Sequence, residues 1–280
     1  MKKIALVTDS TADLTEEFRQ KHNIHVIPLK VVFGKQEYCD GQMPSEEFYQ
    51  RLQLADYLPS TSQPSPEDFR RLYSRLAEEY REIISIHISS GLSGTLNAAR
   101  LAKEKIKAKI HLVDSKTISL GIGLMIEEAS AALHQGMNSG QIVEKLSQAR
   151  ANLETLFTLN TLEYLQKGGR LGRVQSIMGS ILNIKPVIRV AEDGVYHTYH
   201  KTRSQEKALQ TIVEAFKKYS NGRKPVRIAV AHGAAQKAGE KLKEALENTF
   251  QMPVSFYTQV GSVIGVHTGP GTVGAAIQVK

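Results

Sequence analysis

The hydrophobic positions change period along the chain, and each change marks a predicted element. Residues 3–8 are a short apolar run ending in Asp9, Ser10, Thr11, Ala12 and Asp13, whose side chains suit caps and turns. A helix is predicted from Thr15, and residues 25–32 read as extended. Ser65, Pro66 and Asp68 supply a cap, a proline at the first helical position and an acid at the third, a helix-start signature. Phe69, Leu72, Tyr73 and Leu76 then recur at helical spacing. Strands are predicted at 82–89 and 109–113, and helices at 94–107, 118–135 and 139–153. Strand and helix alternating in this way imply βαβ units and a mainly parallel sheet.

After residue 150 the pattern changes. Strands are predicted at 155–160, 186–190, 195–201, 226–231, 253–257 and 273–279, with helices at 204–219 and 234–249. Ala191, Glu192, Asp193 and Gly194 separate two of these strands with hairpin chemistry. The expected class is α/β: an N-terminal domain, residues 1–150, with a mainly parallel βαβ sheet, plus a C-terminal α+β domain, residues 151–280.

Composition narrows the class of protein. The 280 residues are 41% hydrophobic and 23% charged, as in a folded soluble protein rather than a disordered one. The apolar runs fall short of the ~20 residues of a membrane span. Asp9 follows the first run too closely for a signal peptide. The single cysteine, Cys39, cannot make an internal disulfide, so a reducing, cytoplasmic setting is expected. The net charge of +8 is unevenly placed: residues 1–150 hold 19 basic and 19 acidic residues, and residues 151–280 hold 17 and 9. Such asymmetry points to an anionic partner or to a slightly basic solvated surface.

Three segments read as loops concentrate hydroxyls and glycines: 60–66 with Thr61 and Ser62, 89–95 with Ser93 and Gly94, and 265–272 with His267. The second lies where a parallel strand ends and a helix begins. Ligands bind there in open α/β sheets, and free N–H groups at a helix start favour an anion. Ser93 also suits a plain helix cap, Thr61 and Ser62 a plain turn, and His267 a structural role. The order Ser93, Asp114, His267 matches that of α/β-hydrolases, but the G-x-S-x-G elbow is missing; an acyl hydrolase built on Ser93 and His267 is an alternative. The letters G-x-G-x-x-G at 269–274 lack a following helix and strand, which excludes a dinucleotide fingerprint. There is no P-loop motif and no Cys/His cluster with metal spacing. Lys167, Arg170, Arg173, Lys185 and Arg189 form a basic stretch with Tyr164 as its one nearby aromatic. A nucleic-acid-binding module is therefore a second alternative, and one poor in stacking residues.

At these residues the chain resembles the DegV family of bacterial fatty-acid-binding proteins. The resemblance rests on residues 7–14 and 61–66, on 89–95 with Asn97, Ala98 and Ala99, on 162–165 with 167–171, and on 267–271. It spans essentially the whole chain in family order. It implies two domains with one long-chain fatty acid buried between them, no other cofactor, and no metal. It also implies a lipid-binding role without catalytic residues, as partner of a separate ATP-binding fatty acid kinase subunit that converts the carboxylate to an acyl phosphate for phospholipid synthesis. By motif, Thr61, Ser93 and His267, with the amides of Ser62 and Gly94, would hold the carboxylate. Arg170 would meet the phosphate, and Arg173 and Arg203 would face the kinase. Nucleic acid and membrane insertion are not implied; transient membrane contact is compatible with such a carrier.

Overall fold

The computed structural model describes residues 2–177 and 184–280. Its first elements are β1 (Lys2–Asp9), α1 (Glu16–Lys21), β2 (Ile24–Ile27), β3 (Lys30–Phe33), β4 (Gln36–Cys39), α2 (Ser45–Leu54), β5 (Ser60–Ser62) and α3 (Pro66–Glu79). Then come β6 (Tyr80–His87), α4 (Thr95–Lys103), β7 (Lys109–Asp114), α5 (Leu120–His134), α6 (Ser139–Ala151), β8 (Leu153–Thr158) and α7 (Glu163–Lys167). The chain continues with β9 (Lys185–Val190), β10 (Tyr196–Thr202), α8 (Gln205–Ser220), β11 (Pro225–Gly233), α9 (Gln236–Phe250), β12 (Phe256–Gln259), α10 (Ser262–Thr268) and β13 (Thr272–Val279).

The expected α/β class is observed. Four parallel strands form the first sheet in the order β2-β1-β6-β7. The second sheet, β10-β9-β8-β13-β11-β12, is antiparallel except where β11 meets β12. A small antiparallel sheet, β4-β3-β5, stands apart from both. The extended run read at 25–32 is two strands in two different sheets, β2 and β3, separated by Pro28 and Leu29.

Period-two alternation explains how the layers stack. On β1, Ala5 and Val7 face α3 and α4, while Ile4 and Leu6 face the opposite side. That opposite side meets α5, where Leu120, Ile122, Leu124, Met125, Ile126 and Ala129 are all buried. Helix α5 is apolar on nearly all sides, so no surface position would satisfy it. The second sheet covers its far side with Phe157, Ile188, Ala229 and Ala276. The other face of that sheet packs against α8 and α9 through Val230, Val273, Ala275 and Ile277. The resulting order is α3/α4, first sheet, α5, second sheet, α8/α9. Arg150 ties the seam, donating to the carbonyls of Lys116, Leu153 and Ala191. Among the described residues, no helix is long and apolar enough to cross a membrane.

One polar chain runs through the apolar layer under α3. Tyr73 donates to Ser85 Oγ at 2.9 Å, Ser85 lies 2.7 Å from His87 Nε2, and His87 Nδ1 lies 2.9 Å from Asp9 Oδ2. The Asp9 carboxylate accepts, so His87 donates to it from Nδ1, and Nε2 is then the acceptor for the Ser85 hydroxyl. Asp9 also accepts from the amides of Thr11 and Ile88 and from the Thr11 hydroxyl. Tyr73, Ser85, His87 and Asp9 are all fully buried. This Ser-His-Asp series is a structural relay in a packed core, and it fixes the turn after β1 to the end of β6. Replacing Asp9 by Ala strands two amides and an imidazole donor. Urea unfolding should show a loss of about 3 kcal/mol or more; a loss within ~0.5 kcal/mol, the range of ordinary surface changes, would show that the relay does not hold the turn.

Candidate functional site

In the first sheet, the chain leaves β1 toward β2 on one side and reaches β6 on the other. This makes the C-terminal ends of β1 and β6 a topological switch point, where an open sheet leaves a crevice. Two segments lie there: the turn after β1, with Thr11, and the loop after β6, with Leu92 and Ser93. Together with Leu29, Thr61, Ile88, Ile118, Arg170, Tyr196, Val263, Ile264 and His267 they line a small cavity of about 30 Å³.

Each polar residue in this cavity is held by an identifiable element. Thr61 is not in a loop: β5 pairs with β3, and Thr61 stands opposite Val31. His267 is not in a loop either, but in the last turn of α10. The two meet, with Thr61 Oγ1 2.8 Å from His267 Nε2. Ser93 precedes α4, whose cap is Gly94; its Oγ lies 2.8 Å from Thr95 Oγ1 and accepts from the Thr95 amide at 3.3 Å. Burial, helped by the positive charge of Arg170, pulls the His267 imidazole down to about 4, so the ring is neutral at physiological pH. Its Nδ1 is buried without a partner and lies against Gly168, where an added Cβ would come within 2.3 Å. The Arg170 guanidinium is turned back onto the Gly168 carbonyl at 2.7 Å.

A second small cavity, of about 40 Å³, lies beside it. It is lined by Leu120, Phe157, Ala231, Val260, Gly274 and Ala275 among others, and shares Ile118, Tyr196 and Ile264 with the first. It exists because the second sheet presents small residues, Ala231 and Gly274, toward α5. Tyr196, in edge contact with Phe157 at 5.3 Å, forms part of the wall common to both. The first cavity thus carries Thr11, Thr61, Ser93, Arg170 and His267 among apolar side chains, and its neighbour across the shared wall is almost wholly apolar.

Other residues singled out from the sequence fall elsewhere. Ser62 follows Thr61 on β5, and Gly94 caps α4; neither side lines the cavity. Gln63, which the sequence reading passed over, lies across Gly94, where a Cβ would meet its Oε1 at 2.1 Å. Asp114 accepts from Ser90 and pairs with Lys116, so it does not complete a triad with His267. In the basic stretch, Arg189 pairs with Glu154 at 2.6 Å, Lys167 with Glu163 at 2.5 Å and Arg173 with Asp193 at 3.5 Å. Arg170 alone of the five reaches the cavity. Arg173 and Arg203 are exposed, and Arg203 lies with His200, Lys201 and Lys207 along an open groove beside the start of α8. Among the described residues, no group of three or more His, Cys, Asp or Glu could hold a metal ion.

Two carboxylates behind the cavity carry a role that local sequence does not announce. Asp13 accepts from the Gly261 amide at 2.8 Å and from the Ser119 hydroxyl. Asp40 Oδ1 accepts from the Ser262 amide and hydroxyl and from the Val263 amide, at 3.0, 2.6 and 3.4 Å. These are the leading amides of α10. Asp13 and Ser119 both have φ of 50°, a left-handed conformation that costs energy in residues other than glycine.

A family model described as "Uncharacterised protein, DegV family" matches residues 3–280. The chain belongs to the DegV family. A DegV domain-containing protein of Clostridium acetobutylicum is 38% identical over 281 residues, covering 99% of each chain. A DegV family protein from Thermus thermophilus, solved for its fatty acid binding, superposes with a TM-score of 0.93 at 34% identity, over 99% of this chain and 100% of that one. DegV from Bacillus subtilis, described as a fatty acid binding protein, gives 0.91 at 32% identity and covers 100% of both. A stearic acid-binding protein from Eubacterium ventriosum gives 0.92 at 29% identity, over 100% and 99%.

Burial is the largest influence on Asp13 and pushes its carboxyl up to about 7; the Ser119 and Gly261 bonds oppose this, and Asp40 and Asp9 add to it. Between about pH 4 and 7 the folded state therefore holds a proton that the unfolded chain has released, so this group's contribution to stability falls as pH rises through that window. Asn at position 13 keeps an acceptor for Gly261 and cannot ionise. Urea unfolding should find Asp13→Asn gaining on the parent protein from pH 5 to pH 7, then levelling. A difference that stays flat with pH would mean that Asp13 titrates normally.

Proposed function

We propose that this DegV protein is a carrier that binds one long-chain fatty acid between its domains, residues 1–150 and 151–280. The carboxylate occupies the first cavity at Thr61, Ser93 and His267, and the acyl tail enters the apolar interior beside it, which widens to admit the chain. The observation that carries this reading is that a cavity bearing Thr61, Ser93 and His267 adjoins an apolar one across Ile118, Tyr196 and Ile264. Relatives described as fatty acid binding support it.

The hydroxyl pairs suit a carboxylate. If His267 donates through Nε2–H to Thr61 Oγ1, the Thr61 proton is free for an anion; if Thr95 donates to Ser93, the Ser93 proton is free as well. Each acceptor relay strengthens the outgoing donor. The Ser62 and Gly94 amides, which lie outside the cavity as it stands, add neutral donors once the head group widens it. Tail burial supplies the bulk of the affinity at ~0.8 kcal/mol per methylene, and the hydroxyls fix the orientation. Neutral donors leave the carboxylate more nucleophilic than a tight ion pair would.

The role extends to presenting that carboxylate to a separate ATP-dependent kinase subunit, which forms an acyl phosphate for phospholipid synthesis in the cytoplasm. Phosphoryl transfer depends on positioning and charge stabilisation. Arg170, which lines the first cavity, is placed to meet the arriving phosphoryl group. Arg173 and Arg203 provide exposed positive charge for the partner.

Native mass spectrometry of the purified protein should show one bound fatty acid, and stearic acid should bind the delipidated protein in titration. A protein that carries none and rejects it would defeat the proposal. Thr61→Ala, Ser93→Ala and His267→Ala should each weaken binding about five- to tenfold, the worth of a buried hydrogen bond. Arg173→Ala and Arg203→Ala should slow acyl-phosphate formation with the kinase while titrating stearic acid like the parent protein; loss of lipid binding in both would move these arginines from the docking surface to the ligand site.

A further inference from the structure

We infer that Asp40 and Asp13 are positioning residues for the carboxylate site: reaching across the fold, they grip the start of α10 and so set where His267 meets Thr61. The inference builds on the reading of that cavity as a head-group receptor.

Helix α10 has little means of holding itself. It is seven residues long, contains Gly265, and lies between Gly261 and Gly269. A helix this short is far below the length that is stable alone, and glycine weakens it further. Its cap residue, Gly261, has no side chain with which to receive the free amides. The acceptors come instead from distant sequence: Asp13, 248 positions from Gly261, and Asp40, 222 positions from Ser262. A carboxylate at a helix start also opposes the positive end of the backbone dipole. His267 lies five residues beyond Ser262, about 7.5 Å along the axis. A tilt at the helix start is therefore transmitted to the imidazole, whose other side is confined by Gly168.

The two oxygens of Asp40 divide the work unequally. Oδ1 receives three donors from α10, whereas Oδ2 receives none of them; the Ser10 hydroxyl also bonds this carboxylate. An asparagine can therefore reproduce the grip with its single carbonyl, and an alanine cannot. Phe48 and Tyr49 pack against Val263 and Val266 and hold the apolar side of α10, and Tyr49 donates to the Val260 carbonyl ahead of it at 3.3 Å; the Asp13 and Asp40 bonds add the hold on the leading amides.

The test uses the full-length, lipid-free protein with ¹⁵N-labelled histidine. His267, assigned from His267→Gln, should give the long-range imidazole pattern of one fixed tautomer. In Asp40→Ala that pattern should move toward the averaged values of a free ring, His87 should stay in place, and stearic acid affinity should fall about tenfold. Asp40→Asn should restore the tautomer and most of the affinity. A His267 pattern unchanged in Asp40→Ala overturns the inference whatever happens to binding, and so does an Asn variant as impaired as Ala. Should Asp40→Ala fail to fold, Ser262→Ala, which removes one of the three donors, should move the same resonance in the same direction; an unmoved resonance overturns the inference. If the parent protein binds no stearic acid, the carrier reading fails, while the imidazole pattern still decides the positioning role.

Discussion

A helix that is apolar on nearly every side must be covered on nearly every side, and α5 imposes that condition on the whole molecule. The first sheet covers one flank and the second sheet the other, so neither half completes its core without the other. The seam between them is a consequence of this demand rather than an accident of docking. Where the helix begins, at Ile118, Ser119 and Leu120, the two sheets diverge enough to leave the inner cavity. The same helix start is fixed by the strained Ser119 and its bond to Asp13.

Several buried polar groups hold separate segments together. Asp9 joins two strand ends of the first sheet, Asp13 and Asp40 hold α10, and Arg150 binds three carbonyls from separate segments. Each carries a desolvation cost that only its hydrogen bonds offset. The cavity residues differ: Thr61 pairs with His267 and Ser93 with Thr95, and each hydroxyl keeps capacity for a further hydrogen bond. On the proposed reading, stability and binding use different polar residues only a few side chains apart.

Much of this was legible in the sequence because the signals are local. Ser65 and Asp68 form the capping box expected from their spacing, and alternation correctly separated a parallel first half from a mixed second half. The hydroxyl and histidine cluster could be named because Thr61, Ser93 and His267 each lie in short polar segments. Their settings could not. Thr61 is a strand residue only because β3 lies beside it, and three residues of β5 carry no period of their own. Helix α10 is rich in glycine and β-branched residues and depends on acceptors more than two hundred positions away. Asp40 gave no signal, since an isolated acid after a short strand looks like any surface turn. The +8 charge pointed to an anionic partner, yet most of the basic stretch is spent on local ion pairs.

The place of β13 in the second sheet has a further consequence, for the order in which the chain becomes safe from aggregation. This strand lies between β8 and β11 and is buried at all eight positions. Residues 153–158 are synthesised long before their central partner at 272–279 exists. Until then β8 has an open edge and α5 an uncovered flank, the kind of surface that draws chains together during synthesis. The pairing that finally closes the sheet is also long in sequence separation, and such closures are slow. The nascent protein therefore passes through an interval in which its most apolar helix has only half its shelter, and a chaperone that shields apolar surface would act in that interval.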